Sequence, residues 1–147
     1  MIRKLYGQML WSVFAFSIIA SPFAAQSLLK RTLELERLQG YWEGKGAGGD
    51  CSIIITGNSL QYRAGTTGYE ATFVLSGKSD PLQLQAIIQK SGPTEDSIGE
   101  TVYVAYRLRD SILILTTYDP GDEPPETFSE NNLYVLKKTD FLGLPLN

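Results

Sequence analysis

The stretch Leu38-Gln39-Gly40-Tyr41-Trp42-Glu43-Gly44 joins a segment of helix-forming residues to a series of short apolar segments. Gly40 can adopt backbone angles that other residues avoid, so it is a suitable helix stop. Tyr41 and Trp42 favour a strand, in which alternation sends their side chains to opposite faces. The stretch therefore predicts the first corner of a small antiparallel β-barrel, with Trp42 closing one end. The alternative is an ordinary core tryptophan.

Beyond this corner, apolar residues alternate with a period of two, and turn residues recur about every eight to twelve positions. The predicted strands are Tyr41–Lys45, Cys51–Thr56, Leu60–Ala64, Tyr69–Leu75, Leu82–Gln89, Thr101–Leu108, Ser111–Tyr118 and Leu133–Lys138. Hairpin-length links between them favour an all-β, eight-stranded antiparallel up-and-down barrel. A two-sheet sandwich is the alternative. Ser76–Pro81 is predicted to be a loop, and Gly44–Gly49 a flexible corner between strands.

A short helix is predicted ahead of the first strand. Ser27–Gln39 consists of good helix formers, with Ser27 as its N-cap and Leu28, Leu35 and Leu38 on one face. The second and seventh strands are apolar on both faces, whereas one face of a simple barrel contacts water, so a cover over these strands is expected. The helix and the tail Phe141–Leu146 are the available covers, and an exposed patch for a partner is the alternative.

The N-terminus has the pattern of a secretory signal. Arg3 and Lys4 precede the apolar run Met9–Ala20, which a helix breaker and small residues follow at Ser21–Ala25. We expect a signal peptide at 1–25 and a barrel domain at 26–147, in the periplasm or secreted, with no membrane anchor after cleavage. An uncleaved anchor is the alternative, although the run is short for a membrane span.

Composition argues against several classes of function. Without the leader, 11 basic residues remain against 16 acidic ones, a net charge of about −5, which argues against nucleic acid as a partner. The chain contains no histidine, which removes the commonest general base and metal ligand. Cys51 begins an apolar run and is interpreted as a buried small hydrophobe. We therefore expect no enzyme activity, no catalytic residues, no cofactor and no metal site.

The acidic stretch that contains Asp119, Asp122, Glu123 and Glu126 belongs to the longest irregular segment, Asp119–Asn132. Calcium accepts several oxygens from one loop, but the spacing here differs from that of an EF-hand. Solvated charge on an exposed loop is the favoured interpretation.

Gly40-Tyr41-Trp42 resembles the G-x-W corner of the lipocalins and related calycin barrels. In that family a short helical turn precedes the motif, and the tryptophan closes one end of an eight-stranded up-and-down barrel. Lipocalins also tend to carry an arginine near the last strand that packs on the tryptophan. This chain has Lys137 and Lys138 in the matching region.

The chain is also similar to small exported lipocalin-like domains of the planctomycete type. The matching segments are Leu38–Trp42, Tyr106–Leu108 followed by Ser111–Leu115, Pro120–Pro124 and Val135–Lys138. That group often has Arg-Pro where this chain has Pro124-Pro125. The resemblance implies a barrel and export, and it implies no particular chemistry.

Several apolar and aromatic side chains fall on the strand faces expected to point inward. The candidate ligand-binding residues are Trp42, Tyr62, Phe73, Leu84, Ile88, Val104 and Tyr106. Aromatic residues on strands also fill barrel cores, and a filled core is the preferred interpretation of the aromatics.

The sequence leads to two functional hypotheses. The first is an exported, non-enzymatic barrel that binds a small apolar or amphipathic ligand. The alternative is an envelope protein-interaction module, such as an inhibitor or assembly partner, with a filled core.

Overall fold

A computed structural model describes residues 22–79, 81–119, 121–123, 126–128 and 132–139 of the chain. One helix precedes eight strands. These elements are α1 Pro22–Leu38, β1 Gly40–Gly46, β2 Gly49–Thr56, β3 Ser59–Ala64, β4 Thr67–Ser79, β5 Leu82–Gly92, β6 Thr101–Arg109, β7 Ile112–Thr117 and β8 Leu133–Thr139. Each of the predicted strands corresponds to one of the observed strands.

The strands form a closed antiparallel barrel in the order β1 to β8. Each strand pairs with the next along the chain, and β8 returns to pair with β1, where Gly44 lies opposite Leu136. Because closure gives every strand two neighbours, no sheet edge is left open. The predicted all-β barrel with a short N-terminal helix is confirmed, and the sandwich alternative is wrong.

Two local predictions are wrong. The segment predicted as the loop Ser76–Pro81 is largely strand, because β4 continues to Ser79 through a register shift after Leu75 and pairs again with β5 at Leu82. The helix begins at Pro22 rather than near Ser27, and the Ser27 hydroxyl donates to the Ala24 carbonyl oxygen within it. Proline suits the first turn of a helix, where its missing N–H is not needed.

The N-terminal residues 1–21 of the predicted leader lie outside the described residues, and so does the tail proposed as a cover. Within the part of the chain that the structure describes, no helix is long and apolar enough to cross a membrane.

The two ends of the barrel differ. At one end, called here the floor, α1 leads into β1, and Leu38 and Trp42 are buried with 1% and 0% of their surface exposed. The turns β2–β3, β4–β5 and β6–β7 lie at this same end. The opposite end, called the mouth, carries the β1–β2, β3–β4, β5–β6 and β7–β8 connections. Alternation along each strand sends one set of side chains into the space between floor and mouth.

The helix lies at the floor and does not cover the barrel wall as expected. Of the three leucines predicted on one face, Leu35 and Leu38 pack on the core, whereas Leu28 is 67% exposed. On the outer wall, Ile112 of β7 and Val135 of β8 remain 45% and 51% exposed. The described residues of α1 therefore leave this part of the wall uncovered.

Candidate functional site

A cavity of about 540 Å³ occupies the interior of the barrel. Leu38, Tyr106 and Leu113 line it at the floor, and Thr67 and Asp119 line it at the mouth. Its volume falls within the range of about 300–1,000 Å³ that is typical of small-molecule sites. The preferred interpretation of a filled core is therefore wrong.

The cavity exists because small residues occupy inward positions on neighbouring strands. Ala64 of β3, Ala71 of β4 and Ala86 of β5 all line it. Since an eight-stranded barrel is just filled when its inward side chains are large, these three alanines leave room for a ligand.

The structure brings together most of the predicted ligand-binding residues. The five that line the cavity are Tyr62, Leu84, Ile88, Val104 and Tyr106. Trp42 and Phe73 do not line it, because both are buried in the core near the floor, with 0% and 3% of their surface exposed. Further lining residues outside the list of candidates include Ile53, Ile55, Leu60, Tyr69, Leu113, Leu115, Tyr118 and Tyr134. The sequence does indicate the strand residues among them, since each occupies an inward position in the same period-two alternation.

Three tyrosines, called here the tyrosine cluster, meet in the mouth half of the cavity. The Tyr62 ring stacks on the Tyr69 ring at a centroid distance of 5.9 Å and meets the Tyr134 ring edge-on at 6.0 Å. Burial and, to a smaller extent, a hydrogen bond with Tyr134 raise the pKa of Tyr62 above its usual range. A side-chain hydrogen bond therefore joins Tyr62 and Tyr134 in the mouth half of the cavity.

Glycine in β1 makes this cluster possible. Tyr134 belongs to β8 and Tyr62 to β3, so β1 and β2 lie between them in the barrel wall. A Cβ at Gly46 would overlap the Tyr134 ring. The bare inner surface of β1 therefore lets this ring extend across the wall towards Tyr62.

The floor is held by polar contacts around the buried indole. Trp42 Nε1 donates to the Leu38 carbonyl oxygen at 2.8 Å. Lys138 Nζ lies 5.2 Å from the centroid of the indole and donates to the Arg37 carbonyl oxygen at 3.4 Å. Of the two lysines singled out in the sequence, it is therefore Lys138 that packs on the tryptophan.

Tyr106, which lines the cavity, lies near the Glu34 carboxylate of α1 at the floor of the barrel. Tyr106 is 1% exposed, and burial, together with the nearby Glu34 carboxylate, raises its pKa, while Arg37 lowers it by a smaller amount. Glu34 Oε2 lies 3.5 Å from an Arg37 guanidinium nitrogen. Glu34 Oε1 is buried and has no hydrogen-bond partner among the described residues. Tyr106 is therefore held in its neutral form in the folded barrel.

We expect alkaline pH to destabilise the barrel through Tyr106. The pKa of Tyr106 is raised in the folded state, so the unfolded chain releases this proton first as the pH rises. The contribution of protonated Tyr106 to the free energy of unfolding is complete below about pH 10, the ordinary tyrosine pKa. Above that pH it decreases by about 1.4 kcal/mol per pH unit. Urea unfolding at pH 9 and pH 11 should show that Tyr106→Phe loses less stability than the wild type. Equal losses in the two proteins would contradict this assignment.

The remaining polar candidates form no further site in the described residues. Cys51 is buried, with 7% of its surface exposed, and burial and Asp50 raise its pKa, which disfavours a reactive thiolate. No group of three or more acidic or cysteine side chains is placed to hold a metal ion within the described ranges.

Comparison with family models, curated proteins and solved structures found no match for this chain.

Proposed function

We propose that this chain is an exported, non-enzymatic, lipocalin-like barrel that binds a small apolar or amphipathic molecule in its interior. The observation that carries the proposal is the cavity of about 540 Å³, lined mainly by aliphatic and aromatic side chains. Burial of apolar surface is favourable by about 25 cal/mol per Å², so such a lining favours an apolar occupant over water. In this function the interior of the barrel holds the ligand, and the loops need no catalytic groups.

Further features support each part of the proposal. The closed eight-stranded meander and the indole at the floor support a lipocalin-like barrel. The absence of histidine from the sequence supports a non-enzymatic function without a cofactor. The charged n-region and apolar run before Pro22 support export to the periplasm or beyond, with the leader cleaved. The acidic net charge supports partners other than nucleic acid.

A neutral fluorescent probe tests the binding proposal. N-phenyl-1-naphthylamine gains emission in apolar surroundings, so its titration reports entry into the cavity. We expect Ala86→Phe to weaken probe binding at least about tenfold, because Ala86 lines the cavity and the larger ring fills it. Val74→Phe is the matched control, since Val74 lies on the outer face of β4 and is 57% exposed.

The two variants give distinct outcomes. Loss of binding in Ala86→Phe, with Val74→Phe unchanged and both variants folded by circular dichroism, places the probe inside the barrel. Equal binding by Ala86→Phe and the wild type would show that the probe binds on the outer surface, and the proposal would be rejected. Native mass spectrometry of protein from its own host measures the mature mass and any small molecule that co-purifies.

A second function is favoured by one specific observation. Leu28, Leu29 and Leu33 of α1, which follow the predicted leader, are each at least half exposed, with values of 67%, 61% and 51%. Exposed apolar side chains on one helix suit an envelope protein-interaction module, such as an inhibitor or assembly partner. Replacing Leu28 and Leu33 with glutamine separates the two functions, because it changes this surface and leaves the cavity intact.

A further inference from the structure

We propose that the cavity selects an uncharged amphipath, whose neutral hydroxyl or carbonyl head group hydrogen-bonds to the tyrosine cluster while its apolar part extends towards the floor. This inference rests on the proposed function and adds the chemical class of the ligand. It draws on three features of the cavity, which are its charge, the position of its polar groups and the shape of its floor.

The first feature is charge. Among the described residues that line the cavity, the only charged side chain is Asp119 at the mouth, and none is lysine or arginine. An anionic head group would lose its hydration without gaining a cationic partner, which disfavours its binding. Asp119 would add repulsion near the entrance. Carboxylates, phosphates and sulfonates are therefore poor occupants.

The second feature is the position of the hydroxyl groups. Tyr62, Tyr69 and Tyr134 lie together in the mouth half, on strands β3, β4 and β8. Tyr62 and Tyr134 share a side-chain hydrogen bond, and a hydroxyl group that uses only its donor or only its acceptor function in such a bond keeps the other for a ligand. A tyrosine hydroxyl both donates and accepts, which matches a neutral oxygen on a ligand.

The third feature is the direction of the apolar wall. From the tyrosine cluster towards the floor the lining includes Leu60, Ala71, Leu84 and Leu113. The floor itself is closed by Leu38, which is 1% exposed. A ligand therefore enters with its apolar part first and leaves its head group beside the tyrosines.

Displacement of N-phenyl-1-naphthylamine by a neutral ligand tests the role of the tyrosines. We expect decan-1-ol to displace the probe, and Tyr134→Phe to weaken decan-1-ol about fivefold, the worth of one neutral hydrogen bond. Probe affinity should change less than about twofold, because the probe does not need that hydroxyl. Tyr103→Phe is the matched control, since Tyr103 belongs to β6 but is not among the residues that line the cavity, and it should leave decan-1-ol unchanged.

A charged ligand tests the selectivity. Decanoate at pH 8 should displace the probe at least about a hundredfold less well than decan-1-ol. Part of this gap exists for any apolar site, so a cation is introduced at the mouth. Thr67→Lys should improve decanoate at least about tenfold relative to decan-1-ol, because the new ammonium pairs with the carboxylate.

The possible failures are distinguishable. If the wild type does not bind the probe, the carrier function fails and the inference fails with it. If the probe binds within the cavity but both Tyr62→Phe and Tyr134→Phe leave decan-1-ol unchanged, only the inference is overturned. The same holds if decanoate displaces the probe as well as decan-1-ol does. The comparison of the two ligands uses the wild type alone, so it stands even if a variant does not fold.

Discussion

Trp42→Ala should lower the free energy of unfolding by about 3–5 kcal/mol, the usual loss for a large aromatic side chain in a core. The indole is 0% exposed and belongs to the same core cluster as Leu38, Phe73 and Leu136. Small domains are stable by only about 5–15 kcal/mol, so the variant should be close to unfolding. Urea unfolding followed by far-ultraviolet circular dichroism is the suitable measurement, because the substitution removes the main fluorophore.

A second substitution separates the packing of the ring from its hydrogen bond. Trp42→Phe keeps an aromatic ring at the floor but removes the Nε1–H group that donates to Leu38 at 2.8 Å. The Leu38 carbonyl oxygen then loses its partner in a buried setting, so we expect a loss of about 1–3 kcal/mol beyond the change in ring size. Glu43→Ala, at the exposed neighbouring position, is the control and should stay within about 0.5 kcal/mol of the wild type. A loss below about 1 kcal/mol in Trp42→Ala would show that the indole does not hold the floor.

The barrel itself could be predicted because its signals are local. Alternation of apolar and polar residues marks each strand, and turn residues mark each boundary. The sequence-based predictions are wrong where a tertiary interaction overrides the local signal. Ser76-Gly77 is typical of a loop, yet β4 continues through these residues because a register shift lets it pair again with β5 at Leu82.

The cavity could not be predicted in the same way, because it depends on the combined volume of inward side chains from strands that are distant in the sequence. The inward alanines and leucines are visible in each strand alone, but the space between them depends on how the strands face one another. Tyr134 and Tyr62 belong to β8 and β3, and nothing in the sequence indicates that their rings meet. The sequence identified five of the lining residues and also included Trp42, which the structure places in the core near the floor.

Gly44 shows that a glycine can permit close packing of strands rather than form a flexible turn. The run Gly44–Gly49 is predicted to be a flexible corner, although the predicted strand Tyr41–Lys45 already includes Gly44. In the structure β1 continues to Gly46, and only the residues between Gly46 and Gly49 form the turn. Gly44 lies opposite Leu136 in the pairing that closes the barrel. Its lack of a side chain therefore serves close approach between strands rather than flexibility.

Gly44→Ala should destabilise the barrel by about 3 kcal/mol, the upper end of the range for overpacking. A Cβ at this position would overlap the Val135 carbonyl oxygen and lie 2.9 Å from the Leu136 Cα atom. Both atoms belong to the backbone of β8, so no side-chain rotation can relieve the clash. The strand must move away from β1, which weakens the hydrogen bonds that close the barrel.

Gly48→Ala is the matched control, because a Cβ at Gly48 meets nothing within 4 Å. Gly48 lies only four residues away, in the β1–β2 turn, and its substitution should change the free energy of unfolding by less than about 0.5 kcal/mol. Urea unfolding of both variants measures the difference, and amide hydrogen exchange shows where it acts. We expect faster exchange in β1 and β8 of Gly44→Ala, since their pairing is the one disturbed. Equal stability of the two variants would mean that β8 does not press on β1 at this point, and that the barrel tolerates a gap at its closing seam.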